Sequence, residues 1–243
     1  MAPGFASADP SCAPSRIDNH AVVTNVVDGD TLRLRNGDKV RFIGINAPEI
    51  GRDGNPSEPF SRKSLHRLRE LLQENNFRVN LQYGVESHDR YGRRLAHIYL
   101  PDNRNVSEIL LREGLAARIA VPPNLNFQDC LHNAEEIARE RRTGIWSRNF
   151  VFDLDAKPLS PKMRGFHLLD GTVTRLQRAS NGISFTLSNK LDMFIASADV
   201  HYFPASLLGT LEHRRVRVRG WISYYRQRQS LRLRHPASLE LLQ

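Results

Sequence analysis

The sequence predicts a mainly β chain with added helices, class α+β: a five-stranded barrel carrying about three helices, followed by a second, small five-stranded barrel. Three observations carry that prediction. Runs of alternating apolar and polar residues, bounded by Gly, Asn, Asp and Pro, recur in both halves of the chain, which is the period of half-buried strands. The longer helical stretches all fall before residue 148. A segment holding Pro158 and Pro161 then separates the halves. The 243 residues, 40% hydrophobic and 25% charged, suit one large domain or two small ones. The division read here is a tail over 1–19, a first domain over 20–148, a linker over 149–165 and a second domain over 166–243. No apolar run approaches the roughly eighteen residues that cross a bilayer, so a membrane helix is excluded.

In the first domain, residues 21–27 are β-branched and apolar, and residues 31–34 alternate Leu32 and Leu34 with Arg33. Asn36-Gly37 is a strong hairpin signal, and residues 39–45 alternate again, so these three strands form a meander. Residues 52–59 read as a loop. A helix over 57–74 sets Phe60, Leu65, Leu68 and Leu72 near helical spacing. Residues 77–83 and 94–100 are two more strands. Asn105 is an N-cap for a helix that ends at Gly114. A longer helix over 126–142 stops before Gly144, and Ile145 and Trp146 pack back on the body.

In the second domain, residues 169–176, 183–187 and 193–196 read as strands, 199–208 as a short helix or turn, and 215–225 and 229–234 as strands. Five strands with a helical piece between the third and fourth is the order of an OB-type barrel.

Charge narrows the partner. Lys+Arg 35 against Asp+Glu 26 gives a net +9, and 30 of the basic residues are Arg. A guanidinium fork grips phosphate bidentately, so the balance points to a polyanion. Two cysteines are too few for a disulfide scaffold, and the nine histidines never fall at zinc-ligand spacing. No P-loop, dinucleotide glycine fingerprint or Gly-x-Ser-x-Gly elbow is present. Ala6-Ser7-Ala8 before Asp9-Pro10 matches the cleavage box of a signal peptide, which sets a periplasmic or secreted expectation. In such an oxidising compartment Cys12 and Cys130 can pair, closing a very long loop.

Asp28-Gly29-Asp30-Thr31 sits where one strand turns into the next, Arg41 lies on the paired strand, and Asn46-Ala47-Pro48-Glu49 ends that strand. Arg93 enters from a distant hairpin. Oxygen ligands without His or Cys suit a hard cation, and guanidiniums beside it suit the charge that gathers on a phosphodiester in its transition state. These segments, with Asp89-Arg90-Tyr91-Gly92-Arg93, Glu113-Gly114-Leu115-Ala116 and Gly144-Ile145-Trp146, resemble the staphylococcal nuclease family in order and spacing over about residues 20–148. The resemblance implies calcium-dependent hydrolysis of DNA or RNA phosphodiesters to 3′-phosphates, with magnesium or manganese as alternative ions. Asp30 and the Ala47 carbonyl would hold the metal, Glu49 would be the general base, and Arg41 and Arg93 would clamp the phosphate. Two departures follow from the comparison. Asn46 stands where the family has a second metal-ligand aspartate, which removes one negative charge beside the ion. Ala120-Val121-Pro122-Pro123 replaces the family's nucleotide-stacking tyrosines.

The second domain is expected to supply the missing grip. Arg215, Arg217 and Arg219 alternate with valines, and Arg232 and Arg234 with leucines, which puts the arginines on one outer face. Arg226 and Arg228 lie in the turn between, no acid interrupts residues 214–234, and Trp221, Tyr224 and Tyr225 interleave aromatic surface. Stacking beside a basic groove is how single-strand binders work, so single-stranded DNA or RNA is the favoured partner, with no membrane or protein partner. The rival expectation is a catalytically inactive nucleic-acid-binding protein on the same scaffold.

Overall fold

A computed structural model describes residues 12–51, 54–147, 150–225 and 228–242. The chain folds into two compact units. One runs to Arg118 and resumes over Pro123–Ser147; the other comprises Ile119–Pro122 and the chain beyond residue 147.

The first unit runs β1 (Asn19–Asp28), β2 (Thr31–Leu34), β3 (Lys39–Phe42), β4 (Ile45–Asn46), α1 (Ser61–Gln73), β5 (Arg78–His88), β6 (Arg94–Tyr99), α2 (Val106–Arg112), β7 (Ala117–Arg118) and α3 (Gln128–Glu140). Five strands close a barrel in the order β1-β2-β3-β6-β5, antiparallel except for the parallel β3/β6 pair. Alternation fills it: Leu32 and Leu34 are buried while Arg33 between them is exposed. Leu68, Leu71 and Leu72 of α1, Leu110 and Leu111 of α2, and Leu131 of α3 complete the same core. Each such side chain removed from water contributes about 1.5–3 kcal/mol. Asn105 caps α2 by accepting from the Glu108 N–H at 3.2 Å. Gly114 and Gly144 explain two of the sequence signatures together. Their backbones touch, since a Cβ on Gly144 would lie 1.9 Å from the Gly114 carbonyl, and the Ile145 N–H bonds that carbonyl at 2.9 Å.

Three expectations are corrected here. The helix predicted from residue 57 starts at Ser61, because Pro59 lacks an N–H and Phe60 takes a left-handed turn with φ 68°. The strand predicted over 39–45 leaves the barrel after Phe42; Ile45 and Asn46 pair instead with Arg118 and Ala117 of β7, a two-residue strand too short to show a period. That departure carries Asn46 and Ala47 to the barrel rim. The stretch read as a tail is docked from residue 12 onward. Ser15 donates to Gln82 Oε1 at 3.0 Å, Arg16 to the Tyr83 carbonyl at 2.9 Å, and Asp18 accepts from the Tyr83 N–H at 2.7 Å. The residues read as a signal cleavage box lie outside the described residues.

The second unit runs β8 (Phe152–Asp153), β9 (Gly165–Ala179), β10 (Gly182–Leu187), β11 (Leu191–Ala196), α4 (Ser197–Val200), α5 (Ala205–Gly209), β12 (Arg215–Tyr225), β13 (Arg228–Arg232) and β14 (Leu239–Leu241). β9-β10-β11-β13-β12 repeat the first barrel's order, closed by β12 on β9 and again with one parallel pair, β11/β13. Both units are therefore OB-type barrels. Pro204 divides the predicted 199–208 helix into two short ones. The segment 149–165 is not a bare linker: β8 pairs with Leu169 and Asp170 of β9, and Leu154 is fully buried in the second core.

A disulfide joins Cys12 to Cys130, 118 residues apart, and ties the docked segment to α3. Loop-closure entropy for that span assigns about 4–5 kcal/mol to the bond. Cys12→Ser should lower the unfolding free energy by an amount of that order in urea titrations, and wild type under reductant should match the variant. Equal stability of oxidised wild type and variant would contradict it.

Candidate active site

The turn between β1 and β2 and the exit from β3 meet at the barrel rim. Gly29 lets them meet: a Cβ there would lie 1.9 Å from Ser64 Oγ of α1 and 2.7 Å from the Ala47 Cβ. With that approach, the Asp30 carboxylate reaches the other segment. Its Oδ2 accepts from the Ala47 N–H at 2.7 Å and pairs with Arg41 Nη2 at 3.0 Å, while Oδ1 accepts from Thr31 Oγ1 at 3.0 Å. Asp30 is buried, as are Asp28, Arg41, Asn46 and Ala47.

Arg41 is the hub. Its Nη1 donates to the Phe42 and Ile45 carbonyls at 2.7 and 2.8 Å, and its Nη2 reaches Asn46 Oδ1 at 2.9 Å as well as Asp30. Asn46 in turn donates from Nδ2 to the Ala47 carbonyl at 3.3 Å. The residue expected as an open phosphate fork is therefore buried and engaged on the very oxygens expected to hold a metal. Arg93 is the more open guanidinium. Its Nε is held by Asp89 Oδ2 at 2.6 Å, and its Nη groups make no hydrogen bond to the described residues.

Glu49 lies just past these residues, exposed, with its N–H on Glu58 Oε2 at 2.9 Å and its carbonyl accepting from the Glu58 N–H at 3.0 Å. Although the residue as a whole is exposed, neighbouring atoms crowd water from its carboxyl and raise it above its ordinary value; Asp28 and Glu58 push it further up, and Arg41 and Arg93 pull against them. Asp30 is pushed up to about 7, first by burial and then by Asp28 and Glu49, against Arg41 and the Ala47 N–H. Its folded value lies above the unfolded one of about 4, so its ionisation costs stability. That contribution is most favourable below about pH 4 and is lost as pH rises through the folded value. Asp30, Arg41, Asn46, Ala47, Glu49 and Arg93 thus share one electrostatic neighbourhood. Sequence reading left out Asp28 and Glu58. Asp28 stood in the quoted motif, but nothing in its spacing showed that it turns inward.

The donor set fits a hard cation. Asp30, Asn46 and the Ala47 carbonyl offer oxygen only, and a cation at those oxygens would favour the ionised form of a carboxyl that burial raises. Among the described residues the one cluster of Cys and acidic groups with ligand atoms together is Cys12, Cys130 and Glu108, a disulfide beside a carboxylate and so no metal site.

A family model described as staphylococcal nuclease homologue matches residues 39–148. The thermonuclease of Staphylococcus intermedius is 34% identical over 131 residues, which cover 52% of this chain and 76% of that protein. This chain belongs to the staphylococcal nuclease family. An uncharacterized endonuclease of Escherichia coli O157:H7 is 31% identical over 147 residues, 59% of this chain and 83% of its own length. The SPbeta prophage-derived endonuclease YokF of Bacillus subtilis is 34% identical over 128 residues but is covered over only 42% of its length. Membership makes the chain a nuclease, a hydrolase with a nucleic-acid substrate, in a family whose nucleases are metal-dependent.

The family match ends at residue 148, before the second barrel, and there several arginines of the expected basic face are met by aspartates. Arg217 pairs bidentately with Asp170 at 2.7 and 2.8 Å, and Arg215 with Asp153 at 2.7 Å. Arg228 meets Asp192 at 2.9 Å, and Arg232 and Arg234 share Asp199 at 2.6 and 3.8 Å. Arg219 is buried. Acid-free along the sequence, the arginine run is met by acids from neighbouring elements. Trp221 and Tyr224 are exposed, at 46% and 44%. Tyr225 ends β12, its side chain outside the described set, and Arg226 lies outside the described residues. Arg217→Ala should therefore destabilise the second unit by about 1–3 kcal/mol in urea unfolding, through the unpaired Asp170. A substitution without effect on stability would contradict this account of the pair.

Proposed function

We propose that the first unit hydrolyses phosphodiester bonds of DNA or RNA with calcium, magnesium or manganese being the alternatives, and leaves 3′-phosphates. One observation carries the reading: Glu49 lies within electrostatic reach of Asp28, Arg41 and Arg93 beside the Asp30–Asn46–Ala47 oxygens. Asp30, Asn46 and the Ala47 carbonyl would hold the ion, which when bound would supply Lewis-acid polarisation of a phosphoryl oxygen. Glu49 takes the proton from that water as its oxygen bonds phosphorus. Arg93, less buried than Arg41, draws charge from the phosphoryl oxygens as the bond to the 5′ oxygen breaks. Arg41 holds Asp30 and Asn46 in register through its guanidinium and adds its positive charge to the site. Asn46 supplies an acceptor without a charge, so calcium is held less tightly than by a carboxylate there.

The second barrel holds substrate in this reading, with unpaired strands favoured. The Cys12–Cys130 bond supports an oxidising compartment, periplasmic or secreted. Because the Glu49 carboxyl is raised, cleavage falls as pH drops through its value and the base becomes protonated. Glu49→Gln should lower kcat about 10²- to 10⁴-fold with calcium affinity retained by calorimetry, and remove that acid limb. Full activity in the variant, or in excess chelator, would overturn the reading.

A further inference from the structure

The outer wall of the first barrel carries cations that no carboxylate meets. Leu32, Leu34, Val40 and Phe42 fill the core, so alternation turns Arg33, Lys39 and Arg41 to the other face of β2 and β3. Thr31 lies opposite Arg41, and two residues along, about 7 Å away, Arg33 lies opposite Lys39. Arg35 comes next. Its N–H bonds the Val22 carbonyl at 2.9 Å, and Val22 lies opposite Arg78 of β5. Three rows therefore climb from the rim: Arg41 with Thr31, then Lys39 with Arg33, then Arg35 and Arg78 on either side of Val22. Arg33, Arg35 and Arg78 are exposed and Lys39 is half-buried. Among the described residues none of these four forms a side-chain ion pair. Elsewhere in the same unit Arg67, Arg93, Arg104 and Arg112 each hold a carboxylate. Asp38, beside Lys39 in the turn, accepts from Asn36 Nδ2 at 2.9 Å and lies 3.7 Å from Arg94 Nε. Glu74, the exposed acid four residues before Arg78, pairs with none of the four.

We infer that Arg33, Lys39, Arg35 and Arg78 form a phosphate track, which holds the backbone of a nucleic-acid strand running up the barrel wall from the catalytic site. The inference rests on the nuclease reading for its occupant and extends that reading to contacts beyond the scissile bond. Like charges directly opposite on paired strands cost stability, and Arg33 and Lys39 are kept opposed with no acid paired to either. A polyanion laid along the wall removes that cost. Phosphates recur along a strand whatever its sequence, so such rows position the strand without reading its bases. The first free row stands two residues from Arg41, so a strand with one phosphodiester at the rim carries its neighbouring phosphates past Arg33 and Lys39. Each of the three guanidiniums can take two phosphoryl oxygens at once. Contacts this far from the reacting bond act on the hold on substrate rather than on bond breaking.

The whole chain in EDTA is titrated with labelled oligo(dT), and affinity is read by fluorescence anisotropy over a range of NaCl. Each phosphate contact on a single strand contributes about 0.7 to the fall of log affinity with log salt. The triple variant Arg33→Gln, Arg35→Gln, Arg78→Gln should therefore lower that slope by about 2. It should bind about 100-fold more weakly than wild type at about 0.1 M NaCl and converge with it near 1 M. Arg33→Gln alone, which only relieves a like-charge pair and so keeps the fold, should lower the slope by about 0.7. A control of equal net charge, with Arg69 of α1, Arg112 of α2 and Arg141 beyond α3 replaced by Gln, should keep the wild-type slope. An unchanged slope in the triple variant, or an equal drop in the control, overturns the track. Calcium is then added to wild type and cleavage read separately. Cleavage by wild type with an unchanged slope in the triple variant defeats the track and leaves the nuclease reading intact; a lowered slope without cleavage does the reverse.

Discussion

A carboxylate cannot sit at a barrel rim out of water unless something pairs it, and the geometry around Asp30 follows from that constraint. Its two oxygens are claimed by the Ala47 N–H, Arg41 and Thr31. To reach them, β1 must turn tightly at Gly29 and the chain must leave the barrel after Phe42. The departing strand then carries Asn46, Ala47 and Glu49 past the same point. Arg41 closes the arrangement by bonding both segments. The partners do not fully offset the cost of burial, which is why Asp30 remains elevated to about 7. In the proposed reading, a cation at these oxygens would offset part of that cost.

The same barrel order serves both units by different means. In the first, the rim gathers acids around a buried guanidinium. In the second, Asp153, Asp170, Asp192 and Asp199 each pair with an arginine of another element, and Trp221 and Tyr224 remain exposed. Arginine content alone therefore says little about where a polyanion is gripped; the partner of each guanidinium decides.

Much of this was legible in the sequence. Strand alternation, the Asn105 cap and the paired glycines at 114 and 144 are local signals, and they fixed the elements and their order. The clustering of Asp30, Arg41, Glu49 and Arg93 followed from motif order. What the sequence hid was non-local. Two-residue strands such as β4 and β7 have no period to detect, and β8 lay inside a stretch that its prolines marked as linker. The pairing of Arg217 with Asp170 crosses 47 residues and the pairing of Arg232 with Asp199 crosses 33, so an acid-free run gave no sign of the acids that meet it. The inward turn of Asp28 and the return of Glu58 to Glu49 depend on where loops fold back, which spacing does not encode.

The most direct test of the account is whether Asp30 is the seat of a stabilising ion. Calorimetric Tm values are to be compared with and without millimolar calcium at neutral pH, for wild type and for Asp30→Asn. Calcium should raise the wild-type Tm in a concentration-dependent way, as binding to the native state requires, and leave the variant unmoved. Equal stabilisation of both proteins would contradict the account, because the ion would then be held by other oxygens.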